Sequence, residues 1–202
     1  MKLRAGVLVV AVILGGCSQR RTSAPIEKTA QGTDRLMLSP DDMPKDFSVL
    51  PPERRPKLDV CGVDAVIAGS PVATVASVGY TRSAVGPDLA QFVLTFTSAA
   101  EADTYAIARQ KAVTACERPV QSDGPVTARR LERNFGVPIV YALQLRKSSE
   151  TESGDVLQDE VLLKRGPYVV IVVNQGARII NSNRTITTVE AASGRLTAYP
   201  IP

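Results

Sequence analysis

Apolar and polar residues alternate along one segment of the chain in the manner of a β-strand. Between residues 89 and 97, Ala90, Phe92, Leu94 and Phe96 are separated by single, mostly polar residues. A period of two is typical of a strand with one buried face. We therefore expect such a strand here, paired in a hairpin with a second strand at residues 74–83.

The second half of the chain predicts four more strands, at about 125–135, 137–147, 156–165 and 168–174. The second of these strands contains five apolar residues spaced to share one face: Val137, Ile139, Tyr141, Leu143 and Leu145. The segment 168–173 is apolar at every position, so both of its faces need cover. It is predicted to be a central strand.

Helix signals occur at three places. Ser39 and Pro40 are suited to the N-cap and first position of a short helix that Pro44 should end. Ser98 and Glu101 form a capping box for a second helix, and a third is predicted over residues 184–196. The second helix has an apolar stripe for packing on the sheet, made of Ala102, Tyr105, Ala106, Val113 and Cys116.

The element order, β-β-α-β-β-β-β-α with short connections, predicts an α+β fold. We expect a single domain over residues 35–202, in which an antiparallel β-sheet packs against helices.

The first residues resemble the leader of a bacterial lipoprotein. Lys2 and Arg4 precede an apolar run that is too short to span a bilayer. The run ends in Leu-Gly-Gly-Cys at residues 14–17, which matches the lipobox. This resemblance implies that residues 1–16 are a signal peptide and that Cys17 carries diacylglycerol and palmitate, anchoring the chain at the extracytoplasmic face of the cell membrane. An uncleaved anchor and a plain secretory signal are the alternatives.

Two further cysteines remain once Cys17 is lipidated. Residues 18–34 are polar and lack periodicity, so the segment 17–34 is expected to be a lipidated cysteine with a flexible tether. In an oxidising compartment, Cys61 and Cys116 then form an even pair. We predict one structural disulfide between them, worth roughly 4 kcal/mol. A redox pair is the alternative, although such pairs usually have CxxC spacing.

Composition removes several function classes. The chain has no histidine, which excludes Ser-His-Asp and Cys-His catalytic arrangements. Its net charge of +4 falls to +2 when Lys2 and Arg4 leave with the leader, too little to predict nucleic-acid binding. No nucleotide-binding glycine motif is present. We expect neither an enzyme nor a cofactor.

Several short motifs resemble the extracellular sensor domain of mycobacterial PknH-type Ser/Thr kinases and the related free-standing actinobacterial lipoproteins. They are the opening at residues 36–39 with the sequence Met-Pro-Lys-Asp-Phe at 43–47, a cysteine before the hairpin, a capped helix ending in Cys116, and Lys-Arg-Gly at 164–166 before an aliphatic strand. The resemblance implies a cleft-bearing domain that senses an extracytoplasmic ligand. The chain lacks tryptophan and the second disulfide of the kinase-linked members, so no binding residue is carried over.

Two sets of charged residues are candidates for binding. Arg129, Arg130, Arg133 and Arg146 lie on adjacent predicted strands, where Arg130, Arg133 and Arg146 in particular could bind an anionic ligand from one sheet face. The alternative is a solvated sheet face. A second set, Asp155, Asp159 and Glu160, could hold a hard cation, but its spacing favours a solvated turn, and we expect no metal.

These observations predict a membrane-anchored, non-enzymatic ligand-binding or sensor-like module. Its partner would be a small molecule, lipid, glycan or envelope protein, with no nucleic acid. The apolar strand at 168–173 could also border a cavity for a lipid tail, but ordinary core packing explains that strand without a ligand and is the favoured interpretation. The alternative function is that of a structural or assembly lipoprotein that contacts another envelope protein.

The lipobox predicts that Cys17→Ser abolishes acylation and releases the chain from the membrane. The reason is that only the cysteine thiol accepts the diacylglycerol. Fractionation of cells with mass measurement of the mature N-terminus checks this. An unchanged membrane fraction for Cys17→Ser would refute the assignment.

Overall fold

The described residues of the domain, a computed structural model, form seven strands and two long helices. The structure describes residues 33–56, 58, 72–83, 88–115, 126–147, 156–177 and 180–201. The strands are β1 (Ser48–Val49), β2 (Val72–Thr81), β3 (Asp88–Phe96), β4 (Val126–Arg130), β5 (Tyr141–Lys147), β6 (Val156–Arg165) and β7 (Tyr168–Ala177). The helices are α1 (Ala99–Ala115) and α2 (Ser182–Ala198).

All seven strands join one antiparallel sheet in the order β1-β2-β3-β7-β6-β5-β4. The sheet has two parts: β1 with the hairpin β2–β3, and a run of sequential neighbours from β4 to β7. They join where β3 pairs with β7, with Phe92 opposite Ile171. The last strand along the chain is therefore the central strand of the sheet.

Strand β7 is covered on both faces, which confirms the expectation for residues 168–173. Val169, Ile171 and Val173 pack with the buried face of α1, whereas Val170 and Val172 pack with α2. All five side chains are completely buried. The domain thus has three layers, and its two faces are called the α1 face and the α2 face below.

The two helices begin where their capping residues indicate. At α1, the Ser98 hydroxyl accepts the Glu101 N–H at 3.2 Å, while the Glu101 carboxylate accepts the Thr97 N–H at 3.0 Å. The capping box is therefore present with its return bond shifted by one residue. At α2, the side chain of Asn181 accepts the Asn183 N–H.

The segment before β1 completes the α2 face. Gln91, in β3, holds this segment with both ends of its side-chain amide, accepting the Leu38 N–H at 2.6 Å and donating to the Leu36 carbonyl at 2.9 Å. The Tyr80 hydroxyl donates to the Leu38 carbonyl at 2.8 Å. Leu36 and Leu38 are buried here. The opening at residues 36–39 therefore covers the part of the sheet that α2 does not reach.

The Lys-Arg-Gly motif at the β6–β7 turn connects both helices to the sheet. Lys164 forms an ion pair with Asp103 of α1 at 2.7 Å. Arg165 donates to carbonyl oxygens at the end of α2, those of Leu196, Thr197 and Tyr199, where the helix has unpaired acceptors. Gly166 turns the chain with a φ of 55°, in the left-handed region that favours glycine.

Several expectations about the elements were wrong in detail. Strand β3 has buried residues on both faces, because Gln91 and Val93 lie under the α2 face. Strand β4 ends at Arg130 and β5 begins only at Tyr141. The short helix after Ser39 is a single 3-10 turn, Pro40–Asp42, and β1 was not predicted.

The segment between β4 and β5 leaves the sheet and packs on its α2 face. Gly136 adopts a φ of 66° and Pro138 cannot donate a ladder hydrogen bond, so regular pairing stops here. Val137 and Ile139 consequently contact the α2-face cluster, whereas Tyr141 lies on the α1 face. The expectation that all five apolar residues of 137–147 share one face was therefore wrong.

No helix in the described part of the chain is long and apolar enough to cross a membrane. Cys17, Cys61 and Cys116 all lie outside the described residues, so the lipid anchor and the disulfide stay predictions.

The two hydrogen bonds from the Gln91 amide to the backbone of Leu38 and Leu36 predict that Gln91→Leu strongly destabilises the domain. The substitution leaves a buried N–H and a buried carbonyl without partners, and each costs about 1–3 kcal/mol. We expect the free energy of unfolding to fall by about 2–5 kcal/mol, together with faster hydrogen exchange at the Leu38 amide. Urea denaturation and exchange measured by NMR check both effects.

Gln158→Leu is the matched control, because Gln158 is also buried but its Nε2 has no hydrogen-bond partner among the described residues. Its substitution should reduce stability less than Gln91→Leu and leave the Leu38 amide protected. An equal decrease in the free energy of unfolding in the two variants would contradict a special role for the two Gln91 hydrogen bonds.

Candidate functional site

A fully buried arginine interrupts the apolar stripe of α1. Arg109 lies four residues after Tyr105 and four before Val113, so it points from the same face of the helix towards the sheet. Its side chain is 1% exposed. A buried guanidinium requires a charged partner and further acceptors, because losing its hydration is costly.

Glu160 of β6 is that partner, and its side chain is 0% exposed. Arg109 Nη2 lies 3.0 Å from Glu160 Oε1 and 3.2 Å from Oε2, and Arg109 Nε lies 3.1 Å from Oε1. Nη2 also donates to the Leu58 carbonyl at 2.8 Å. This pair bridges α1, β6 and the segment before β2.

Tyr141 of β5 completes the cluster. Its hydroxyl accepts from Arg109 Nε at 3.0 Å and donates to Glu160 Oε1 at 2.5 Å. Burial, and then the negative charge of Glu160, raise the pKa of Tyr141 well above that of a free phenol. The phenol therefore stays neutral and acts as a hydrogen-bond relay between the two charges.

The charges of Arg109 and Glu160 compensate each other. Burial alone would lower the pKa of Arg109, but the negative charge of Glu160, the hydroxyls of Tyr141 and Tyr105 and the hydrogen bond to Glu160 together outweigh burial and raise this pKa above its usual range. One hydrogen-bond donor of the cluster, Arg109 Nη1, is left unsatisfied, because it is buried and no acceptor among the described residues lies in hydrogen-bond geometry with it. The cluster is thus electrically balanced but richer in donors than in acceptors.

A cavity of about 230 Å³ lies beside this cluster. Its lining comes from α1, β4 and β5: Gln110, Thr114, Arg130, Tyr141 and Leu143. Arg130 is directly opposite Leu143 in the sheet register, and opposed residues of an antiparallel pair share a face. The guanidinium of Arg130 is therefore on the α1 face, at the side of the cavity opposite the helix.

A second polar cluster occupies the α2 face of the same strands. Asp159, fully buried in β6, accepts from Gln144 Nε2 at 2.8 Å and from the Thr185 hydroxyl at 2.8 Å. Arg133 Nη1 lies 3.9 Å from its carboxylate. Asn174 donates to the Thr185 hydroxyl at 2.9 Å, which connects the cluster to the first turns of α2. These contacts fix the position of α2 on the sheet.

The candidate arginines are divided between the two faces. Arg130 lines the cavity on the α1 face, whereas Arg133 is directed at Asp159 on the α2 face. Arg129 donates to Gln144 on the α2 face at 3.0 Å, and Arg146 is two residues further along β5 from Gln144, on the same side. The structure therefore does not bring Arg130, Arg133 and Arg146 together as one anion-binding set.

The candidate carboxylates are also separated. Asp159 and Glu160 are neighbours in β6, so their side chains point to opposite faces, and both are buried instead of lying in a solvated turn. Asp155 lies outside the described residues. Within those described residues, no group of three potential ligands is arranged to hold a metal ion.

Sequence reasoning missed Arg109, Glu160 and Tyr141 as a cluster. The available signal was a charged residue at a stripe position of α1, together with two adjacent carboxylates directly before the apolar residues 161–163 of a strand. Lys, Arg, Asp and Glu are rarely buried unless paired, so these positions demanded partners. The identity of the partners depended on strand order, which the sequence did not provide.

Comparison with known proteins supports the resemblance at the level of the fold. No model of a protein family matches the chain, and no curated protein matches it. The crystal structure of the extracellular domain of PknH from Mycobacterium tuberculosis is similar, with a TM-score of 0.55 and 14% sequence identity. The similarity covers 80% of this chain and 94% of the PknH chain. The two share a fold.

The buried pair predicts a specific pattern in a double-mutant cycle. Arg109→Met leaves the carboxylate of Glu160 buried without its counter-charge, so we expect a loss of about 3–5 kcal/mol in the free energy of unfolding. Adding Glu160→Leu should restore most of this loss, because an apolar pair of similar volume needs no counter-charge. Urea denaturation of the four variants measures the coupling.

Lys164→Met provides the control, since the Lys164–Asp103 pair has a 59% exposed carboxylate. Its loss should stay within about 1 kcal/mol. A value for Arg109→Met no larger than that for Lys164→Met would show that the buried pair is not electrostatically coupled.

Proposed function

We propose that the chain is a lipid-anchored extracytoplasmic module that binds a ligand and acts as a sensor-like domain. The fold shared with the extracellular domain of PknH supports an extracytoplasmic, sensor-like role. The lipobox ending in Cys17 supports the membrane anchor. The cavity on the α1 face supports ligand binding.

The cavity on the α1 face is the observation that carries the proposal. Ligand sites combine a concave space with a few placed polar groups and perturbed titratable residues. Here the space of about 230 Å³ has polar walls from Gln110, Thr114 and Arg130, and an apolar wall from Leu143. Tyr141 contributes the perturbed group. Because these residues belong to a helix and two strands, the site is held by rigid elements.

The strongest charged pair of the site has a structural role in this proposal. Arg109 and Glu160 direct their hydrogen bonds to each other, to Tyr141 and to Leu58. Through these bonds they hold Tyr141 in place at the cavity wall. Neither side chain is available as a free acid or base for a substrate. We accordingly propose binding and assign no catalytic step.

The anchor and the disulfide belong to the same proposal. With Cys17 lipidated, residues 18–34 would tether the domain close to the membrane and raise its effective concentration towards membrane-bound partners. A bond between Cys61 and Cys116 would join the segment before β2 to the end of α1. Leu58, whose carbonyl accepts from Arg109, lies three residues before Cys61.

The surface gives less support to an assembly lipoprotein. Protein-binding surfaces usually present a contiguous apolar patch. The exposed large apolar residues of the described chain lie on four separate parts of the fold: Val49 on β1, Val75 on β2, Ile107 on α1 and Ile201 after α2. The cavity therefore favours a small ligand over a flat protein contact.

Filling the cavity should remove the ligand. Thr114 is exposed at the cavity wall, so Thr114→Trp adds a large side chain there while leaving the core intact. We expect a small molecule to accompany the full-length wild-type protein isolated from its native membrane, and at least tenfold less of it to accompany Thr114→Trp. Non-denaturing mass spectrometry of both proteins measures this.

Thr104→Trp is the matched control. Thr104 is exposed on the same helix and makes the same hydroxyl bond to the carbonyl four residues back, but it is not among the cavity residues. This variant should retain the ligand. A bare protein mass for the wild type, or equal ligand loss in both tryptophan variants, would refute binding at the cavity.

A further inference from the structure

We infer that the ligand of the α1-face cavity is a small organic anion, a carboxylate or phosphate ester, whose charged oxygens are bound by Arg130. This inference rests on the proposed function and deepens it by naming the chemical class. It follows from four properties of the cavity: a guanidinium with no counter-charge among the described residues, a neighbouring buried acid already paired with Arg109, N–H donors of Arg130 that have no described acceptor, and an apolar wall.

Arg130 is the charged residue of the cavity lining, and within the described part of the chain it has no partner. It is exposed, it lines the cavity, and no described carboxylate forms an ion pair with it. Its neighbour Arg129 is engaged on the other face by Gln144. The guanidinium of Arg130 therefore keeps its hydrogen-bonding edge, which matches the geometry of a carboxylate or phosphate.

Two acids of β6 and α1, Glu160 and Asp103, already have cationic partners other than Arg130. Glu160, the acid of the adjacent cluster, is neutralised by Arg109 and shielded by the hydroxyl of Tyr141. Asp103, elsewhere on α1, is paired with Lys164. These two acids are therefore balanced by partners of their own, and Arg130 contributes a positive charge to the cavity wall.

The N–H groups of Arg130 are hydrogen-bond donors of the wall with no partner among the described residues. The side-chain amide of Gln110 can both donate and accept, whereas the hydroxyl hydrogen of Tyr141 is directed at Glu160 and that of Thr114 at the Gln110 carbonyl. Behind Tyr141, the buried Nη1 of Arg109 has no acceptor among the described residues. A ligand rich in acceptor oxygens fits this wall better than a donor-rich cation.

The size and the apolar wall of the cavity restrict the body of the ligand. Leu143 and the ring of Tyr141 provide surface for a short apolar group. A volume of about 230 Å³ admits a small organic molecule beside the guanidinium. The anion can come from a free organic acid, a phosphate ester or the headgroup of an anionic lipid, which share this chemistry.

Matched probes test the charge requirement directly. Benzoate and benzamide have nearly the same shape, but only benzoate is an anion; phenyl phosphate carries the alternative group. Each is titrated into the full-length protein in uncharged dodecyl maltoside micelles, with Kd measured by saturation-transfer difference NMR. We expect benzoate or phenyl phosphate to bind at least tenfold more tightly than benzamide, and more weakly as salt is added.

Arg130→Gln should raise the Kd of the anionic probes at least tenfold. Arg129→Gln removes the same charge from the opposite face of the same strand and should change the Kd less than twofold. Both arginines are exposed, so melting curves should show both variants folded. A parallel titration with dioctanoyl phosphatidylglycerol distinguishes the sources: if only this lipid binds in an Arg130-dependent manner, the anion is a lipid headgroup.

The outcomes separate this inference from the proposed function. Equal effects of Arg130→Gln and Arg129→Gln, or equal binding of benzoate and benzamide, would overturn the anion assignment. If the molecule that Thr114→Trp removes is neutral and survives Arg130→Gln, the module binds a ligand but the anion inference is wrong. If no molecule accompanies the wild type, the proposed function fails, and the anion inference that rests on it fails as well.

Discussion

The domain is organised around a central strand that must be buried on both sides. Six successive apolar residues, 168–173, place Val, Ile and Tyr side chains on both faces of β7, and the five from Val169 to Val173 are completely buried. An antiparallel sheet with such a strand cannot leave one face in water, as many antiparallel sheets do. The placement of α1 on one face and α2 on the other follows from this requirement. So does the position of β7 in the middle of the sheet, where neighbours on each side pair with it.

Strand β6 adds a second constraint, because it carries a buried carboxylate on each face. Asp159 is satisfied by Gln144 and Thr185, whereas Glu160 is satisfied by Arg109 and Tyr141. A slip of one residue in the β6 register would exchange the two carboxylates and remove both sets of partners. Buried ion pairs contribute little net stability compared with apolar residues. Their value here is that they admit one register and one placement of each helix.

Local patterns predicted the elements well because their signals are local. The capping residues of α1, the apolar stripe through Ala102 and Val113, and the apolar run of β7 each depend on neighbours within a few positions. The prediction for residues 131–140 was wrong for the same reason. Val137 and Ile139 continue the apolar alternation of β5, but Gly136 and Pro138 turn the chain out of the sheet. Alternation shows that a residue is apolar at a given spacing and does not show which face it reaches.

The candidate site was less predictable, because it depends on which strands are neighbours. Arg130 was among the residues selected from the sequence, but it was grouped with Arg133 and Arg146, which lie on the other side of the sheet. The grouping assumed that adjacent predicted strands present their charges to one face. Arg109 and Glu160 were not grouped at all, since they are far apart in sequence and meet only when α1 crosses β6.

The cavity itself follows from the width of the sheet. Seven strands at about 4.8 Å spacing are nearly three times as wide as a helix of about 10 Å. On the α2 face, the segment before β1 and residues 131–140 cover what α2 does not reach. On the α1 face, the helix packs mainly on β3, β7 and β6 and reaches β5 through the contact of Arg109 with Tyr141, so within the described chain β4 and the adjoining part of β5 lie at its edge. At this edge lie Tyr141, Leu143 and Arg130, so the guanidinium of Arg130 borders the cavity. The guanidinium of Arg109 is instead buried between α1 and β6, where Glu160 supplies its counter-charge.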